Sequence, residues 1–106
     1  MGIFRSTENE KKLMKVSSGV GAAAGQAITG SLSLSDLHEL ADASADEIRR
    51  LYAAVTSETG ERAARKATDE AQMIAQIWAK DGGPRSQVAA KRLTAQLLDA
   101  ILAPSA

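Results

Sequence analysis

The chain contains no cysteine. Disulfides, thiolate zinc sites and thiol nucleophiles are therefore excluded, and a reducing cytoplasm is the location this composition agrees with. Aromatic residues are nearly missing as well: Phe4, Tyr52 and Trp78 are the only three. Apolar residues make up 44% of the chain, but alanine supplies much of that share. Each alanine removes little surface from water, so at about 25 cal/mol per Å² the core is lean, and small lean domains are often completed by a partner surface. An excess of one charge sign is also lacking, with 13 basic and 13 acidic residues. A protein that grips phosphate backbones usually shows a basic excess. Here only the last segment is basic, with Arg85, Lys91 and Arg92 against Asp99.

Runs of β-branched residues, period-two alternation and internal repeats are missing too, so no strand is expected. No apolar run is long enough for a membrane span. The segment from Val16 to Ser35 has no charge, but Ser17, Ser18, Gly19, Gln26 and Thr29 interrupt it. A spanning helix needs about 20 predominantly apolar residues, so a membrane-associated helix at 13–34 ranks below soluble packing. A signal peptide is disfavoured because Glu8 and Glu10 precede the segment. The opening Met-Gly-x-x-x-Ser fits the minimal N-myristoylation pattern at Gly2. One acyl chain without a dense basic patch is a weak anchor.

What the chain does contain is helical periodicity. Leu13, Val16, Val20, Ala23 and Ala27 step by three and four, which predicts a helix from about Glu8 to Ile28, with Ser6 or Thr7 as its cap. Gly21 and Gly25 form a small-residue face with Ser17 and Thr29. Gly30 is expected to end this helix, and Ser33 or Ser35 to cap the next. Ser44 with Glu47 reads as a capping box. It points to a short helix before Ser44 and a second one after it, although the apolar line from Leu34 to Val55 also allows one fused helix. A break is expected at Thr56–Gly60. A long helix to Lys80 is then expected, carrying Ala64, Ala67, Ala71, Ile74 and Trp78 on one stripe. Asp81-Gly82-Gly83-Pro84 punctuates the chain, and a last helix is expected over Ser86–Leu102.

These elements make an all-α fold, a small bundle or helical hairpin array of three to five helices, in one domain over 1–106 with 1–7 and 103–106 as tails. Met73, Ile74, Ile77 and Trp78 form the largest apolar cluster. They are expected to be core, or an interface if the core lies between chains, and a buried Trp78 would lose about 3–5 kcal/mol on truncation to alanine. The candidate protein interface is therefore Ala64, Ala67, Ala71, Met73, Ile74, Ile77 and Trp78, with Gly21 and Gly25 as small-residue contacts.

Chemical motifs are sparse. His38 and Asp42 lie one turn apart, but a metal site needs three or more converging ligands, so no metal and no cofactor are expected. The carboxylates interleave with Arg and Lys at helical spacing, the pattern of a solvated face. The glycines have no preceding strand and no Gly-Lys-Ser/Thr ending, so no phosphate loop is expected and no small-molecule substrate is indicated. The principal expectation is a non-enzymatic helical protein that acts by association with a protein partner or with itself. The alternative is a DNA-binding regulator or packaging accessory with a helix-turn-helix-like segment at 34–55, using Arg49 and Arg50 with Arg62 and Arg65. Against it, Ala41 and Ile48 stand only seven residues apart, and the turn lacks a glycine.

Overall fold

Residues 7–104 are described by a computed structural model. Four helices follow one another: α1 (Glu8–Ile28), α2 (Leu34–Glu58), α3 (Glu61–Trp78) and α4 (Gly83–Leu102), with one 3-10 turn at Lys80–Gly82. Among the described residues the all-α expectation holds, at four helices. Gly2 and residues 1–6 and 105–106 of the expected tails lie outside the described residues.

Each boundary has a local cause. The Thr7 hydroxyl accepts from the Glu10 amide at 3.1 Å and opens α1. Gly30 closes it at φ 85°, where a side chain would be strained. The Gly30 amide bonds the Ala27 carbonyl and the Ser31 amide bonds the Gln26 carbonyl, a Schellman closure. Ser33 rather than Ser35 caps α2, accepting from the Asp36 amide at 3.0 Å. Gly60 at φ 116° separates α2 from α3, and Pro84 stands in the first turn of α4. That helix begins at Gly83, earlier than the expected Ser86.

The capping box at Ser44 is not used. Helix α2 runs unbroken through it, because Leu37, Ala41, Ala45, Ile48, Leu51 and Val55 make one continuous buried line. Burying that line as one rigid helix outweighs a local cap, since tertiary packing supplies most helix stability.

Three sets of contacts set the directions. Asn9 donates to Glu58 at 2.7 Å, and the Thr59 hydroxyl donates to Glu10 at 3.0 Å, which ties the start of α1 to the end of α2. Gly21 lies on Ala71 and Gly25 lies on Ala75, so α1 and α3 run in the same direction. Arg65 pairs with Asp99, and Gln87 donates to the Gln76 carbonyl, so α4 runs against α3. The topology is up-down-up-down. In such a bundle the two like-directed helices sit on a diagonal, usually held apart by side chains. Here the glycines let α1 and α3 meet backbone to backbone across that diagonal. The molecule is correspondingly flat, with extents of 41 × 36 × 18 Å.

The core is aliphatic and small. Its largest fully buried side chains are Leu13, Leu37, Ile48 and Leu51. No aromatic ring is fully buried among the described residues: Tyr52 is half-buried and Trp78 is 51% exposed. The expectation that Trp78 belongs to the core is therefore corrected. An ideal Cβ on Gly25 would come within 2.7 Å of the Trp78 Cβ. Two backbones this close leave no room for an indole between them, so the ring turns outward.

Candidate interaction surface

The alanine stripe on α3 divides into an inner and an outer part. Ala64, Ala67 and Ala71 are buried against the rest of the chain, and Gly21 and Gly25 are buried where they meet the α3 backbone. These five candidates are internal contacts of one chain. Beyond Ala71 the buried line continues through Ala75 and Ala79, not through Ile74 and Trp78. Two causes add. A seven-residue repeat falls behind a straight helix by about 20° per heptad, which puts Trp78 about 40° off the line of Ala64. The close approach of Gly25 to the Ala75 carbonyl and the Trp78 Cβ also leaves no room for larger side chains on that line.

The outer part is an uncovered flank. Helix α3 meets α4 on the side of Arg65 and Gln76. At about 100° per residue, Ile74 and Glu70 fall on the opposite side, Ile77 lies between, and Met73 points outward beside Arg65, with which it lines a shallow concavity. Met73 is 59% exposed and Ile77 is 62% exposed, while Ile74 is half-buried. Met73 and Ile77 are one turn apart, as are Ile74 and Trp78, so the four form two rows. No helix among the described residues covers them. Lys66 stands exposed in line with Glu70, Met73 and Ile77, and neither Lys66 nor Glu70 makes an ion pair among the described residues.

The four candidate arginines do not form one surface. Arg49 donates to Asp46 at 2.6 Å and to the Ile101 carbonyl at 3.2 Å, satisfying an open acceptor in the last turn of α4. Arg50 projects from another flank of α2, toward α1. Arg65 pairs with Asp99 at 3.3 Å. Its pKa is raised above the ordinary value, chiefly by charge interaction with Tyr52, with burial opposing and Asp99 and Asp69 adding to the rise. Arg62 is exposed on α3. The turn that a helix-turn-helix requires is absent, because 34–58 is one helix. His38 is exposed, and no group of three His, Asp or Glu side chains among the described residues is arranged to hold a metal. No helix among the described residues is long and apolar enough to cross a membrane.

One concavity lay outside the sequence candidates. Val16 and Gly19 of α1 face Leu40 and Ser44 of α2 across an open groove. Two helices split at Ser44 would not form it, because only a continuous α2 brings Leu40 and Arg50 to the same edge. Its one sequence signal was Gly19, a mid-helix glycine outside the four-residue spacing of Gly21 and Gly25. No protein family, curated protein or solved structure matches the chain.

Proposed function

We propose that this protein is non-enzymatic and works by protein–protein association, as an accessory subunit, a self-assembling unit or an inhibitor that occupies a partner's surface. The α3 flank at Met73, Ile74, Ile77 and Trp78 is the surface it presents. The observation that carries this reading is the exposure of Met73, Ile77 and Trp78 together on one helix. Clustered exposed apolar side chains with a charged rim are typical of interaction sites. Methionine and tryptophan are enriched at such sites, where they supply much contact area. A straight apolar row flanked by Lys66 and Glu70 suits an amphipathic helix of the partner. The cysteine-free composition supports action in the cytoplasm.

A photo-crosslinking residue in place of Met73 tests the reading in the native host cell. A discrete protein adduct is expected there, and none from the same residue placed at exposed Ala53 of α2. The adduct should disappear in an Ile77→Arg background. Equal labelling from both sites would reject the flank as an interface.

A further inference from the structure

We propose that the α1/α2 groove is a two-fold contact between two copies of this chain. The inference concerns a different surface from the α3 flank and stands without it. Three observations carry it.

The first is Gly19. Gly21 and Gly25 are required by the fold, since a Cβ at either would run into the backbone of α3. Gly19 has no such reason: a Cβ placed there would meet nothing within 4 Å. Glycine in mid-helix weakens the helix relative to alanine. A residue that the chain's own packing does not need leaves the α1 backbone open to approach from outside.

The second is where Gly19 lies. It shares the groove with Val16, Leu40 and Ser44. Leu40 is 39% exposed although it belongs to a well-formed helix. The centre of the groove is thus small and apolar.

The third is the charge on either side of that centre. Lys12, Lys15 and Arg50 stand at one end, with Glu47 as the only acid among them. Past Leu40, at the other end, stand Asp36 and Glu39. None of these six charges makes an ion pair among the described residues. The midpoint between Asp36 and Arg50 along α2 is residue 43, beside Leu40 and Ser44, which face Gly19. A two-fold axis set diagonally across the groove at that level crosses α1 of each copy over α2 of the other, so the basic end of each copy lies on the acidic end of the other. It also lays the α1 backbone at Gly19 against Leu40 and Ser44 of the other copy. An isologous contact requires such self-complementarity, and opposed potentials set its register.

The test is a charge exchange read by sedimentation velocity over a dilution series. One variant carries Lys12→Glu and Lys15→Glu, and the other carries Asp36→Lys and Glu39→Lys. The wild type is expected to dimerise. Each variant alone faces like charge at both ends and should associate about tenfold more weakly or worse. Mixed in equal amounts, the two should form a heterodimer close to wild-type affinity, because both ends are again opposed. Asp36 stands in the first turn of α2, so Glu39→Lys alone serves if circular dichroism shows that the pair disturbs the helix. Gly19→Leu should keep the wild-type spectrum and lose the dimer. A wild type that stays monomeric up to millimolar concentration overturns the proposal. So does a dimer that both charge variants retain, a mixture that fails to recover, or a dimer abolished by Ile77→Arg but insensitive to the charge exchange.

Discussion

Glycine means two different things within seven residues of α1. At Gly21 a Cβ would overlap the Ala71 carbonyl oxygen, and at Gly25 it would come within 2.6 Å of the Ala75 carbonyl oxygen. Both contacts are with backbone, which cannot swing aside. Gly21→Ala and Gly25→Ala are each expected to destabilise the protein by about 1–3 kcal/mol despite alanine's better helix propensity. At Gly19, with open space around it, the same change should stabilise by about 0.5–1 kcal/mol. Urea denaturation of the three variants measures this directly, and the opposite signs are the diagnostic result. Buried hydroxyls make a second contrast. Thr68 and Thr94 donate to carbonyls of their own helices at 2.9 and 2.8 Å, while the buried Ser17 oxygen has no partner. Ser17→Ala should therefore be neutral or stabilising, by up to about 1 kcal/mol, since it removes an unsatisfied polar atom from the interior.

At the scale of the element, the two serine signals on α2 separate in the same assay. Ser33 caps the helix in fact, so Ser33→Ala should cost about 1 kcal/mol. Ser44 lies mid-helix, so Ser44→Ala should cost nothing and add slightly through propensity. This pair also shows what was legible in the sequence. Caps, glycine stops and three-four periodicity are local, and they located α1, the break before α3 and the start of the last helix to within a few residues. Whether a cap signal is used depends on what the neighbouring helices bury, and Ser44 does not carry that information. The same limit governed the α3 stripe. Its period was visible, but the phase shift from Ile74 and Trp78 to Ala75 and Ala79 arises from the straightness of the helix and from the close approach at Gly25. The apolar excess at Met73, Ile74, Ile77 and Trp78 was therefore recognised, while its outward placement was not. The groove beside Gly19 depends on two helices at once, and the sequence marks it only by a mid-helix glycine.

For the whole molecule, flatness links stability to function. Crossing α1 and α3 on glycine and alanine removes the space in which a bundle ordinarily houses large side chains. The large apolar residues of α3 are then left on its flank, and the core is built from Leu13, Leu37, Ile48 and Leu51. Stability and association should accordingly be separable, as they seldom are when an interface doubles as a core. Trp78 gives the sharpest case. Its ring is half exposed while its Cβ rests against Gly25. Trp78→Ala should cost about 1 kcal/mol in urea denaturation, well below the 3–5 kcal/mol of a buried ring. Ile77→Arg, at a more exposed position, should move the melting temperature by no more than about 2 °C, as surface substitutions generally do. The indole also reports on its own surface. As the only tryptophan, Trp78 should emit at a red-shifted, partly hydrated wavelength in the dilute protein, and shift to the blue when a partner covers the flank. Emission that is already blue in dilute protein, or a loss of about 3 kcal/mol or more on truncation, would mean that the ring is buried in the single chain. The flank would then lose its largest contact.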